Sequence, residues 1–247
     1  MNTASAEKFR ILVVGDVNSH NQSGRPEIVR WQASPVRLKE RQQFGGAANV
    51  ARIAAGLGTM VGFLPLSQAD VATRLRQISH FHMLLPQYDV IVFSEFSHFA
   101  LDDLNDMVAS ARCLGKRVLV DLDGSRSGAL TGASLMTSST GMLRHLIGTW
   151  HSERELAIKV AKLLSGFECE AFLVNRHDSG ISLYLSDGEN HFANMVRCDK
   201  YYLLAVIAAA LKTGIPISAG VSQACDRFDP AILYAEDDMS CQEMTLS

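Results

Sequence analysis

Residues 44–58 read Phe44-Gly-Gly-Ala-Ala-Asn-Val-Ala-Arg-Ile-Ala-Ala-Gly-Leu-Gly58. Two adjacent glycines let the backbone pass close to a neighbour or a ligand. The alanine-rich stretch after them, Ala47 to Leu57, predicts a helix with Gly58 as its stop. Free N–H groups at the start of that helix, and Asn49 just inside it, suit hydroxyl or anion recognition. Tight packing alone also accounts for a Gly-Gly pair in this position. The surrounding sequence gives the stretch its weight. Upstream, Arg10-Ile-Leu-Val-Val-Gly15 is an aliphatic, β-branched run ending in Gly-Asp, which reads as a buried parallel strand.

Between these two lie Glu27–Trp31 and Val36–Glu40, which alternate polar and apolar about Ser34-Pro35. Alternation implies strands wet on one face, so residues 25–44 predict a hairpin outside the main sheet. Downstream, Val61–Leu64, Tyr88–Phe93, Arg117–Asp121 and, more weakly, Ala133–Met136 predict strands. Leu101–Leu114 and Ser152–Leu164 predict helices, the second with Ser152 and Glu155 as a capping box. Ala171–Val174 and Ile181–Leu185 predict strands, and Asp187-Gly188 a hairpin turn into His191–Val196. Tyr201–Lys212 predicts an apolar helix stopped by Gly214 and Pro216, and the stretch 230–247 reads as an acidic tail of little pattern. Strands alternating with helices of this length predict one α/β domain over residues 1–247 with a mostly parallel sheet.

Composition narrows the function classes. The 247 residues carry 23 Lys+Arg against 26 Asp+Glu, a net charge of −3, with 47% hydrophobic and 20% charged residues. That balance fits a globular core and lacks the basic excess of a general nucleic-acid binder. The longest apolar run, Leu203–Leu211, is under half of the roughly 20 residues a membrane helix needs. The first ten residues lack the apolar stretch of a secretory signal. Five cysteines, Cys113, Cys169, Cys198, Cys225 and Cys241, are scattered without metal-site or redox spacing, so a reducing cytoplasm is the expectation. His80-Phe81-His82 is the one close histidine pair, and it reads as surface decoration of a helix–strand connection rather than a metal site.

Ligands of open α/β sheets bind beyond the carboxyl ends of the strands. That rule selects Asp16 and Asn18 after the first strand, Ser94 and Glu95 after the third, and Asp121 and Asp123 after the fourth. Each of them also suits a turn or a cap, but several in one mouth predict a polar pocket.

The segments Ile11–Asp16 and Phe44–Gly58 together resemble the ribokinase-like (PfkB-type) carbohydrate kinases, and most closely the heptose 7-phosphate kinase branch that feeds ADP-heptose synthesis. Val90–Glu95, Lys116–Gly124, Leu173–Leu183 and Val206–Gly214 agree in order and spacing, so the resemblance runs from about residue 10 to 225. It implies a three-layer α/β/α domain with a small β lid, the sugar between lid and sheet, and ATP at the C-terminal half. It places Asp16, Asn18, Gly45, Gly46 and Asn49 on the sugar side. Residues 25–44 become a reduced lid, which in this family often forms the dimer contact. The apolar residues Trp31, Val36 and Leu38 on it suit a second copy or a paralogous partner.

The chain also departs from the family. Members carry a Gly-Ala-Gly-Asp motif at a helix start, where glycine N–H groups hold developing charge and the Asp takes the hydroxyl proton. Counted back without gaps, that motif falls on Cys198-Asp199-Lys200-Tyr201, and no glycine occurs between Gly188 and Gly214. Asp199, the nearest acid, is two positions early and reads as the N-cap of the Tyr201–Lys212 helix. The family's Asn-x-x-Glu element, which organises magnesium, aligns with Ser139–Met142 and has lost its carboxylate. The acid that ends the family's first-strand segment aligns with His20. Leu64 and Asp89 lie 25 positions apart, where active relatives carry a much longer lid-bearing segment.

Two readings follow. In the first, the chain is a degenerate carbohydrate-kinase fold, a pseudokinase with no catalytic residue, metal ligand or required cofactor. It binds a sugar phosphate, a nucleotide or a protein partner, and Tyr201 and Tyr202 put bulk in the vacated site. In the second, it is a divergent ATP-dependent heptose- or hexose-phosphate kinase with Asp199 as base and Asp121 or Asp123 helping to hold magnesium.

Overall fold

The computed structural model describes residues 9–16, 29–31, 46–66, 70–96, 99–122, 130–176, 179–188, 190–193, 199–211 and 215–227. The aliphatic runs form the middle of one sheet: β1 (Arg10–Asp16), β3 (Met60–Leu66), β4 (Val90–Ser94), β5 (Arg117–Asp121), β6 (Leu135–Ser139) and β7 (Ala171–Asn175). These six lie parallel in the order β3-β1-β4-β5-β6-β7. Antiparallel strands flank them, β2 (Val29–Trp31) beside β3, and β8 (Ile181–Leu185) then β9 (Asn190–Ala193) beyond β7.

Helices cover both faces, which is why most of the parallel strands read as aliphatic runs rather than alternating ones. Ile11 and Val13 of β1 pack into a core with α1 (Gly46–Gly56), α6 (Lys200–Ala210) and α7 (Ile217–Arg227). Leu12 and Val14 point the other way, into a core with α2 (Val71–Leu84), α3 (Leu101–Cys113), α4 (Thr140–Ile147) and α5 (Glu153–Gly166). The result is the three-layer α/β/α arrangement expected of a ribokinase-like fold. Tyr202 to Ala208 are buried without a break, because α6 is enclosed by the sheet, α1 and α7.

Several expectations need correction. Within 25–44, residues Val29–Trp31 are an edge strand of the main sheet, paired with Val61–Phe63, and do not lie outside it. The rest of that segment, the tail 230–247 and residues 194–196 lie outside the described residues. Strand β6 begins two residues later than expected and runs through the polar Thr137–Ser139, held in register with Leu173–Asn175. Pro216 starts a helix rather than only ending one: its carbonyl accepts from Gly220 N at 3.0 Å, the first turn of α7. His80 and His82 lie on α2, whose cap is Asp70, and Phe81 between them is fully buried.

Candidate functional site

The carboxyl ends of β1, β4 and β5 lie side by side, because Gly15 is in register with Ser94 and Phe93 with Val120. This puts Asp16, Ser94, Glu95 and Asp121 in one mouth, as the strand-end rule predicts. Close strand approach is enforced at Gly15, where a Cβ would lie 1.7 Å from the Ser94 carbonyl oxygen. The amino ends of α1 and α6 converge on the same place.

Glu95 ties the mouth together. Its backbone oxygen accepts from Asp16 N at 2.9 Å. One carboxylate oxygen accepts from Gly46 N, the first residue of α1, at 2.5 Å, and the other from the Tyr201 hydroxyl of α6, also at 2.5 Å. Burial, then the acceptor Glu95, raises the Tyr201 phenol above the ordinary tyrosine range, so the hydroxyl keeps its proton. A Cβ at position 46 would meet Glu95 Oε1 at 2.2 Å and the Tyr201 ring at 2.4 Å, so a side chain there would make both of them shift.

A second junction lies alongside. Asp121 is 1% exposed, and its Oδ2 accepts from the Ser94 hydroxyl at 3.2 Å and faces Lys200 Nζ at 3.3 Å. Lys200 also stands 4.8 Å above the Tyr201 ring, a cation–π arrangement. Asp121 and Lys200 open onto a shallow cleft with Thr137, Asn175 and the apolar floor of Leu173, Leu203 and Leu204.

At the start of α6, Asp199 Oδ1 accepts from both Tyr201 N and Tyr202 N at 2.9 Å. The residue is the helix cap, as its position in the sequence predicts. Two of the first amides at this terminus, those of Tyr201 and Tyr202, are therefore bonded to the chain's own carboxylate. Ser139 is likewise a cap: it accepts from Met142 N at 3.2 Å at the start of α4. Among the described residues no group of three His, Cys, Asp or Glu side chains is placed to hold a metal ion.

Of the sequence-selected residues, the structure brings Asp16, Gly46, Glu95, Asp121, Lys200 and Tyr201 together at one end of the sheet. Asn49 is partly buried one turn into α1. Asn18, Gly45, Asp123 and Cys198 lie outside the described residues. Tyr202 is not part of a plug: it is 8% exposed and belongs to the core beneath α1 and α7. Asn175 and Thr137 were not singled out from sequence, although Asn175 ends a strand and the same strand-end rule selects it.

No family model matches the chain. Its curated relatives include the bifunctional protein HldE of Shewanella baltica, 33% identical over 277 residues, and that of Aeromonas hydrophila subsp. hydrophila, 28% identical over 279. Both alignments cover 89% of this chain but only 58% of the relative, so the chain spans under two thirds of the proteins it matches. Among solved structures, Escherichia coli phosphofructokinase-2 in complex with fructose-6-phosphate has a TM-score of 0.61 at 11% identity, covering 88% of this chain and 91% of that one. Arabidopsis thaliana ribokinase complexed with ribose and ATP also scores 0.61, at 10% identity, over 88% and 90%. The first comparison shows that the chain is homologous to part of the bifunctional protein HldE, and the second that its fold is ribokinase-like.

Proposed function

We propose that this chain is a carbohydrate-kinase fold that binds rather than phosphorylates: a pseudokinase of the cytoplasm. Its ligand is a sugar phosphate or a nucleotide, and its partner, through the 25–44 segment, a second copy or an active paralogue. One observation carries the reading, the double hydrogen bond of Asp199 to the Tyr201 and Tyr202 amides.

Phosphoryl transfer depends on positioned donors aimed at developing charge and on a group that takes the hydroxyl proton. At the start of α6 the donors are turned onto the chain's own carboxylate, and that carboxylate is held by them. The position that aligns with the family's acid is Tyr201, whose hydroxyl donates to Glu95. A raised phenol does not accept a proton near neutral pH. Neither ATP nor magnesium is a required cofactor in this reading.

The second reading, a divergent ATP-dependent heptose- or hexose-phosphate kinase with Asp199 as base, draws its support from the likeness to phosphofructokinase-2 and ribokinase. The test is ADP release by the purified chain with magnesium, ATP and fructose 6-phosphate or heptose 7-phosphate. Background rates are expected. Sustained turnover that Asp199→Asn abolishes would overturn the proposal in favour of the kinase.

A further inference from the structure

We propose that Glu95 and Tyr201 form a pin that holds the mouth between α1 and α6 shut, an autoinhibitory contact that must part before anything binds there. The proposal goes beyond the preceding one and is independent of it, since a kinase would need the same opening.

Three separate elements meet at this contact. Glu95 directly follows β4, Gly46 starts α1 and lies 49 residues away, and Tyr201 lies in the first turn of α6 at a distance of 106 residues. Both carboxylate oxygens and the backbone oxygen of Glu95 are engaged, each by a different element. A phenol donating to a carboxylate is a charge-assisted bond, stronger than a neutral pair. The closed arrangement also shapes its neighbours. Glu95 sits at φ 50°, in the left-handed region that favours glycine, and persists there because its surroundings hold it. Gly46 has no room for a side chain for as long as Glu95 and the Tyr201 ring stay in place.

The same contact blocks access. The Gly46 N–H is the donor that α1 would offer to a ligand, and the chain's own carboxylate occupies it. A ligand reaching that N–H must displace Glu95, and Glu95 is fastened to α6 through Tyr201. Binding at the start of α1 is thereby linked to movement at the start of α6, 155 residues further along the sequence (201 − 46).

The experiment is residue-resolved amide hydrogen exchange on the full chain, wild type against Tyr201→Phe and Glu95→Gln. Tyr201→Phe keeps the ring and its packing and removes only the hydroxyl. Exchange at Gly46 and the first turn of α1 is expected to rise by about tenfold in both variants, as the charge-assisted bond is lost. Amides of α3 and α5 should not change. An unchanged Gly46 in Tyr201→Phe would overturn the pin. So would an equal rise over the whole sheet, which would make Tyr201 a general packing residue. Turnover by the wild type in the ADP assay would refute the binding-only reading and leave this result untouched.

Discussion

Lys200 Nζ lies 3.3 Å from Oδ2 of Asp121, and the carboxylate it faces is almost wholly removed from water. A buried charge whose partner is removed is left uncompensated, while replacing both members of the pair is far better tolerated. Lys200→Met is expected to destabilise the chain by about 1–3 kcal/mol, below the figure for fully buried pairs because the lysine is partly exposed. Asp121→Asn combined with Lys200→Met should recover much of that loss. Urea unfolding of the two variants measures it, and a silent Lys200→Met would mean that the two charges do not depend on each other.

Asp199 separates a cap from a base. Asn is as good a cap as Asp, so Asp199→Asn should leave stability nearly unchanged, whereas Asp199→Ala should cost about 1–2 kcal/mol. Thermal unfolding of both variants, beside the ADP assay, distinguishes the two roles.

Gly15→Ala should be among the most damaging single changes. The added Cβ would lie 1.7 Å from the Ser94 backbone oxygen, which belongs to a paired strand and has little freedom to retreat. We expect loss of soluble protein, or a fall in stability beyond the roughly 1–3 kcal/mol usual for overpacking. Soluble yield and the urea midpoint report it.

Alkali should weaken the fold through the buried thiol of Cys169 and the half-buried one of Cys225. Burial pushes Cys169 up to about 12 and Cys225 up to about 11, each from an ordinary value of 9.0. The Cys169 Sγ also donates to the Ala171 carbonyl at 3.0 Å. A raised pKa means the folded state holds the proton longer than the unfolded state does. The stabilisation is complete below pH 9 and drains away as pH rises from about 9 towards 12 for Cys169. Each pH unit in that window costs up to about 1.4 kcal/mol for such a group. Urea midpoints between pH 8 and 11 should fall, and fall less steeply in Cys169→Ala. Exposed Cys113 should react with a thiol reagent at pH 8 while Cys169 does not.

The layers of this fold are legible in the sequence where one residue type does one job. Ile11–Val14, Val90–Phe93 and Val118–Val120 are aliphatic because both faces of the parallel sheet are covered, so they stand out. Helix α2 does not: its buried side is Gln77, Phe81 and Leu84, and the Gln77 amide donates to the Pro65 carbonyl of β3. Helix α7 is hidden behind Pro216, which marks a helix start as readily as a stop. In the site, Asp16, Glu95 and Asp121 are found by the strand-end rule, because position along a strand is a local property. The pairings Glu95–Tyr201 and Asp121–Lys200 are not local. They depend on which strand lies beside which, and on where α6 returns to the sheet.

The antiparallel margin of the sheet sets an order of assembly. Strands β7, β8 and β9 follow one another with short connections, the last through Asp187-Gly188, and each pairs with its predecessor as it is made. Strand β1 has no such convenience: Ile11 takes Val61 on one side and Val90 on the other. During synthesis its four fully apolar residues wait, half paired, until β4 leaves the ribosome, while the last three strands zip up locally. A nascent chain of this topology thus leaves one edge of β1 open for longer than the edges that join the last three strands.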